Sequence, residues 1–546
     1  MAGGGGAEPR LGARLNRDAA LQRLADERFD VLVIGGGATG LGAAVDAAAR
    51  GYRTALVEAE DFASATSSRS TKLIHGGVRY LQRGDVGLVR EALRERTALR
   101  RNAPHLVTVR EFLVPAYGAL ELAYYGAGLA AYDLLSGCSG FPRSRIVSSA
   151  YARAQIAALE PKRLRGAVAY HDGQFDDARL AVTLARTAAD RGAVVANYVN
   201  VEAFVHDASG RIAGVTAVER ESGAQLVLRA RVTINATGVF ADAVRALDDP
   251  AAPKLLALSR GSHVVVPWYA LGDPSSALLV PKTSDGRVLF AIPWYGHVVI
   301  GTTDVAVDAP ALDPSPSSDE IAYILATVNR YLTKPLAAHD VVATFAGLRP
   351  LIARKAAATA QLSREHAVDV SRSGLVTIAG GKWTTYRTMA QDVVDVAARA
   401  AGLTPAPSQT EYLPLHGAVA NIESEAALRV HLNGSETLRP YGSDAHALLR
   451  LIGNDPGLGE PLDARLPYSA AEAVYAVREE MARTVEDVLA RRMRSLFLDQ
   501  HAARASAPRA AALMAAELGR DERWNAEQIS AFDEVAARRA VPESNL

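Results

Sequence analysis

Short apolar runs that stop at glycine dominate the first half of the chain, and helical spacing dominates the last quarter. FDVLVI (29–34) is a continuous apolar run of the kind found in strands buried on both faces. After the glycines that follow it, Leu41–Arg50 is Ala-rich and helix-favouring, and Gly51 is placed to end that helix. TALVE (54–58) then reads as a second strand closing on an acid. This strand–helix–strand order predicts a parallel pair with a right-handed crossover. RGAVVANYVNVEAFVHD (191–207), RIAGVTAVE (211–219) and ARVTINATG (230–238) alternate as strands, with turns at Ser209-Gly210 and Ser222-Gly223. SRGSHVVVP (259–267), GRVLFAIPWYGHVVIGTTD (286–304) and VVATFAGLRPL (341–351) predict a second, mostly antiparallel sheet, with ALDPSPSSDE (311–320) as a loop. Residues 373–403 return to strand, turn and helix.

LNRDAALQRLADE (15–27) predicts a short lead-in helix behind a Gly-rich tail. From about residue 410 the chain reads as helical, with 471–499 as its longest helical segment. The expected organisation is α/β plus α+β: a tail and lead-in helix (1–27), a nucleotide-and-substrate region (28–405) and a helical domain (406–546). Within the middle region the nucleotide-binding parts fall at about 28–105, 170–240 and 340–405. Substrate or cap parts fall at about 106–169 and 241–339.

Composition narrows the function. Lys+Arg and Asp+Glu are both 60, which argues against a dedicated nucleic-acid binder. A single cysteine, Cys138, excludes an internal disulfide framework, a thiolate-only zinc site and a CxxC redox pair. It points to a reducing compartment, the cytoplasm. The first residues lack the apolar core of a signal peptide, and no apolar run reaches the ~18 residues of a membrane span.

Gly35, Gly37 and Gly40 form GxGxxG between the first strand and its helix. Such glycines allow a tight turn, close approach to a pyrophosphate and close helix–strand packing. The helix N-terminus adds unpaired N–H groups for the diphosphate. Glu58 ends the second strand, where a carboxylate can accept both hydroxyls of an adenosine ribose, which favours FAD or NAD over NADP. Two later turns favour FAD: Ala236, Thr237 and Gly238 of NATG, and Gly381, Lys382, Thr384 and Thr385 of GGKWTT. The latter opens a helix suited to stabilising negative charge on a reduced ring. ATSSRSTKLIHGGVRYLQ (65–82) offers Thr66, Ser67, Ser68, Lys72, His75, Gly76 and Gly77 as the wall beneath an isoalloxazine ring; a polar surface loop would have the same composition.

IGGGATGLG, ATSSRSTKLIHGGVRYL, DDARL, NATG, RGSHVVVP, IPWYGHVVIGTTD, GLRPL and GGKWTTYR together resemble the FAD-dependent, membrane-associated glycerol-3-phosphate dehydrogenases. VFAD after NATG and Trp383 depart from the usual family pattern. The resemblance implies a Rossmann-like FAD-binding domain of the glutathione-reductase/D-amino-acid-oxidase type, an inserted antiparallel substrate domain and a helical C-terminal domain. It implies oxidation of sn-glycerol 3-phosphate to dihydroxyacetone phosphate with hydride passing to FAD, then electrons to a membrane quinone. It also implies peripheral contact with the inner face of the cell membrane, and a homodimer is a further expectation.

A phosphorylated substrate needs guanidinium and ammonium groups. Arg79, Arg349 of GLRPL, Arg364 of LSRE and Lys382 of GGKW are the candidates. His263 of RGSH is preferred as general base over Lys382 and Tyr80, because an unperturbed imidazole titrates near pH ~6.5. A hydrogen-bonded core histidine fits the same pattern. Tyr80, beside Arg79, is placed to orient the substrate hydroxyl, and Asp304 of GTTD is counted with the cofactor-binding residues.

LVPAYGALELAYYGAGLAAYDLL (113–135) carries only Glu121 and Asp133 as charges, and arginines flank it. An interfacial element lying on a bilayer and a buried cap helix both fit. Three other functions remain as rivals: an oxygen-using glycerol-3-phosphate oxidase, a related flavin amino-acid oxidase, and a non-catalytic FAD-binding sensor or adaptor.

Overall fold

The computed structural model describes residues 15–78, 84–137, 140–283, 286–353, 366–419 and 436–541. The first apolar run is the strand Arg28–Ile34, whose Val31, Leu32 and Val33 are fully buried. It lies between Gln225–Asn235 and Thr54–Val57, parallel to both. Val194–Ala196 and Val376–Gly380 extend this parallel core on either side. His366–Val370 closes one edge antiparallel, and Ile212–Glu219 and Val199–His206 run on antiparallel from Gln225–Asn235. Helices Ala38–Ala49, Asp177–Asp190 and Tyr386–Ala400 supply alanine, leucine and valine side chains to the core of this layer. The lead-in helix is Arg17–Asp26, and Gly51, at φ +88°, ends the first crossover helix.

A second sheet is antiparallel throughout except where Thr108–Ala116 meets Ala277–Val280. Its central strand, Leu256–Pro267, pairs with Ala343–Ile352 on one side and with His297–Gly301 and Val305–Val307 on the other. Alternation along HVVV divides the faces. Val264 and Val266 pack with Ile321 and Ile324 of the helix Ser318–Asn329. Val265, Val299 and Phe345 pack with Phe497, Ala507 and other C-terminal residues.

Two expected segments are divided. Residues 113–135 contain the end of strand Thr108–Ala116 and the helix Ala119–Ser136, because Gly118 starts a helix that Glu121 caps. The 471–499 stretch is not one helix. Ala470–Glu480 ends at Met481 (φ +56°), a wide π-helical turn follows at Asp487–Arg492, and Arg494 (φ +65°) precedes Ser495–Leu498. The break has an electrostatic cause. Arg491 and Arg492 turn inward to Asp61 of the nucleotide layer (2.7 and 2.6 Å), and the Asp487 carboxylate accepts the Arg483 and Thr484 N–H groups. The longest helix of the region is instead Gln500–Leu518.

Candidate active site

Gly35 follows the first strand at φ +111°, and a Cβ there would stand 2.7 Å from the Ala236 carbonyl oxygen. At Gly40 a Cβ would lie 1.9 Å from the Gly35 carbonyl oxygen, so only hydrogen fits. Gly37 begins the helix Ala38–Ala49, whose Ala38 N–H donates to Ser67 Oγ (2.9 Å). These groups line a groove of about 500 Å³. Glu58 lines it too, its carboxylate accepting from the Gly36 and Glu60 N–H groups while burial pushes its pKa up. Thr66, Ser67, Ala236, Thr237, Gly238, Gly381 and Lys382 complete the walls. The helix N-terminus, the three glycines and the strand-end acid form a cradle that fits the diphosphate and adenosine ribose of FAD.

A second cavity, of about 400 Å³, opens where the wall segment leaves the groove. Thr71, His75 and Gly77 form one side, Tyr124, Tyr125 and Phe290 another, and Arg287, Thr302, Thr303, Asp304 and Arg349 a polar end. The His75 N–H donates to Thr384 Oγ1 (3.3 Å), tying this cavity to the turn that closes the groove. Arg349 donates to the Thr303 carbonyl (3.1 Å) and to Thr302 Oγ1 (3.2 Å), with the Asp304 carboxylate 3.5 Å away. Gly261 of RGSH makes room for it, since a Cβ there would be 2.3 Å from the guanidinium.

Several expected site residues stand elsewhere. Asp304 does not line the FAD groove: it sits in the second cavity, accepting from the Ser259 hydroxyl and facing Arg287 (3.6 Å) and Arg349. Lys72 is fully buried behind the wall, with φ +64° turning it inward. Its ammonium donates to Asp177 (2.7 Å) and to the Ser68 carbonyl (2.8 Å), and burial pushes its pKa down to about 7. Ser68 is buried with it. Gly76 is packed against the Tyr132 hydroxyl, which accepts its N–H (2.8 Å). Thr384 and Thr385 make internal bonds beneath the groove and line neither space. Arg79, Tyr80 and Arg364 lie outside the described residues.

His263 is also absent from the cavity lining. Its ring stacks on Phe345 at 4.6 Å, and Nε2 is 3.0 Å from the Thr71 hydroxyl. Burial, with Lys72 and Arg349 adding repulsion, holds its pKa well below the ordinary imidazole value. Among the described residues, the imidazole's hydrogen-bond contact with the cavity lining is Thr71. Sequence reasoning passed over Arg287, Tyr124 and Tyr125 as site residues. Arg287 precedes the apolar run VLFAIPW much as Arg349 follows one, a signal of a strand-end cation. Of the departures from the family pattern, Trp383 turns back against the nucleotide core and donates to the Ser67 carbonyl (2.8 Å).

Residues 30–387 match the family model described as FAD dependent oxidoreductase, and residues 408–526 match the C-terminal domain of alpha-glycerophosphate oxidase. Over 540 residues the chain is 42% identical to the glycerol-3-phosphate dehydrogenase of Mycobacterium leprae, covering 97% of this chain and 91% of that protein. The chain belongs to the FAD-dependent glycerol-3-phosphate dehydrogenase family. The human mitochondrial glycerol-3-phosphate dehydrogenase is 40% identical over 94% of this chain and 74% of its own length. The crystal structure of the glycerol-3-phosphate dehydrogenase from Bacillus halodurans complexed with FAD superposes with a TM-score of 0.79. It is 30% identical and covers 97% of this chain and 98% of its own. FAD is therefore the cofactor of this family member, and the glycine-lined groove is the place built to hold it.

Proposed function

We propose that the protein oxidises sn-glycerol 3-phosphate at C2 to dihydroxyacetone phosphate and passes the electrons to a membrane quinone. The observation that carries this reading is the pair Arg287 and Arg349 at the polar end of a cavity that adjoins the FAD groove. Planar guanidinium forks match phosphate oxygens, and a phosphate held there leaves the triose carbons along the wall of Thr71, His75 and Gly77. When bound, FAD supplies the hydride acceptor. Leu73, Val114 and Phe290 give the cavity apolar sides that exclude water and strengthen the charge contacts within it. Lys382, on the wall of the groove, would counter negative charge that accumulates on the cofactor side.

Membrane contact rests on the helix Ala119–Ser136. One side lines the cavity with Tyr124, Tyr125 and Gly128, while Leu120, Ala123, Ala130 and Leu134 face solvent with no charge among them. Leu120 and Leu134 are 88% and 83% exposed. Beside its C-terminal end, Arg90, Arg94 and Arg101 surround a surface hollow with Leu135. An apolar face bordered by arginines suits the surface of an anionic bilayer. No helix among the described residues is long and apolar enough to cross a membrane. This helix would bring the cavity within reach of a lipid-borne quinone.

The decisive experiment is anaerobic addition of glycerol 3-phosphate to the purified yellow holoprotein. Bleaching of the flavin band with stoichiometric dihydroxyacetone phosphate supports the reading, and an unchanged spectrum refutes it. Reoxidation by a quinone with little peroxide separates a dehydrogenase from an oxygen-using oxidase.

A further inference from the structure

We propose that Thr71 is the residue that hydrogen-bonds the reacting hydroxyl oxygen of the substrate, with His263 acting behind it as a positioning residue. This role rests on the substrate reading given above. Thr71 lines the second cavity and His263 does not. Their side chains meet at 3.0 Å, Thr71 Oγ1 to His263 Nε2. On its far side the imidazole is sealed by Phe345, and its Nδ1 is buried with no hydrogen-bond partner among the described residues.

That orphaned nitrogen fixes the direction of the bond. A neutral imidazole carries one N–H and one lone pair. A proton on Nδ1 would bury an N–H with nothing to receive it, which native structures avoid more strictly than an unpaired acceptor. The proton therefore sits on Nε2, and the ring donates to Thr71. With its oxygen accepting from His263, the threonine hydroxyl keeps its own proton for another acceptor. The cavity is the space into which this side chain opens. A protonated ring would place a third cation beside Lys72 and Arg349, both of which already disfavour that charge.

The ligand atom that gains is the C2 oxygen. Arg287 and Arg349 take the phosphate at the polar end of the cavity, and negative charge builds on the C2 oxygen as its hydroxyl proton is drawn off ahead of the hydride. A donor aimed there acts on the transition state more than on the bound alcohol. The contribution is a hydrogen bond and moves no atom from one group to another.

The test is stopped-flow reduction of the holoenzyme flavin by glycerol 3-phosphate under anaerobic conditions, with Thr71→Val and Thr71→Ser. Valine keeps the shape and removes the hydroxyl; serine restores it. The limiting reduction rate of Thr71→Val should fall about 10- to 100-fold, with half-saturating substrate changing less than about threefold and flavin content kept. Thr71→Ser should recover the rate to within about threefold of wild type. A Thr71→Val enzyme that reduces at the wild-type rate overturns the proposal. So does one whose half-saturating concentration alone rises, which would place Thr71 on the phosphate. Failure of the wild-type enzyme to be reduced at all would instead refute the substrate reading, and is read from the same trace.

Discussion

Lys72 and Asp177 form an ion pair of 2.7 Å in which neither side chain has any exposure. The ammonium lies 5.1–5.3 Å from the ring centroids of Trp294, Phe345 and Phe497, so three apolar elements close around the charge. Asp177 opens the helix Asp177–Asp190 and also faces Arg494 of the C-terminal region at 3.2 Å. One buried carboxylate thus joins the wall segment, the nucleotide layer and the C-terminal domain.

Removing one partner of such a pair strands the other charge, at a cost of about 3–5 kcal/mol. Lys72→Met should sit at the low end of that range, because Arg494 and the Ser70 hydroxyl still face Asp177. Denaturant unfolding should show the loss, while the folded fraction keeps its flavin. A variant of undiminished stability that fails to bind FAD would restore Lys72 to the cofactor groove.

The glycine motif, the strand-end Glu58 and the strand at SRGSHVVVP (259–267) were legible because they obey local rules: apolar strand runs, turn geometry and helix ends. Lys72 misled because composition cannot distinguish a lysine facing a cofactor from one turned inward by a left-handed backbone toward a carboxylate 105 residues away. The continuous helix expected at 471–499 failed for the same reason, since Asp61, far away in the chain, captures Arg491 and Arg492. His263 was found, but its depth behind Thr71 depends on which strands flank it. Long-range pairing decides what a side chain faces, and spacing within a motif does not report it.

Gly40 has the least room of the three motif glycines. With a Cβ 1.9 Å from the Gly35 carbonyl, Gly40→Ala must push the helix off the turn and spoil the diphosphate cradle. The purified variant should be colourless and should not take up added FAD. Gly87, with nothing within 4 Å of a built Cβ, is the matched control in the helix Val86–Asn102. Gly87→Ala should stay yellow and gain about 0.5–1 kcal/mol of stability.

His416 donates through both ring nitrogens only when charged: Nδ1 to Asp190 at 2.6 Å and Nε2 to Asp444 at 2.8 Å. Burial opposes the charge, yet the bonds to Asp190 and Asp444 outweigh it and raise the imidazole pKa above its ordinary 6.5. A group with a raised folded pKa stabilises fully below its unfolded pKa and loses that contribution as pH climbs through the folded value. Wild-type melting temperature should therefore fall from pH 6 toward pH 9 more steeply than that of His416→Asn. Parallel melting curves for the two proteins would remove His416 as the source.

Arg349 should govern affinity for the phosphate. Charge-assisted hydrogen bonds contribute about 1.5–3 kcal/mol, so Arg349→Ala should raise the half-saturating glycerol 3-phosphate about 10- to 100-fold. Arg349→Lys keeps the charge but loses the planar fork, and should fall between the two. Flavin content should stay normal, since Arg349 lies in the second cavity and not in the groove. Loss of flavin from Arg349→Ala would move the residue to the cofactor.

The exposed face of the helix Ala119–Ser136 separates membrane binding from chemistry. Leu120 and Leu134 do not line the cavity, so changing them leaves the reacting groups in place. Each leucine buried in a bilayer surface contributes about 1.5–3 kcal/mol, and a carboxylate there also meets the repulsion of anionic headgroups. Leu120→Glu/Leu134→Glu should therefore lose sedimentation with anionic phospholipid vesicles by a factor of ten or more, on the order set by those burial energies. Anaerobic bleaching by glycerol 3-phosphate should proceed at the wild-type rate, while reduction of a lipid-embedded quinone slows. Undiminished sedimentation of the double variant would shift the contact to another face of the protein, and a matching loss of bleaching would tie the helix to the fold of the cavity itself.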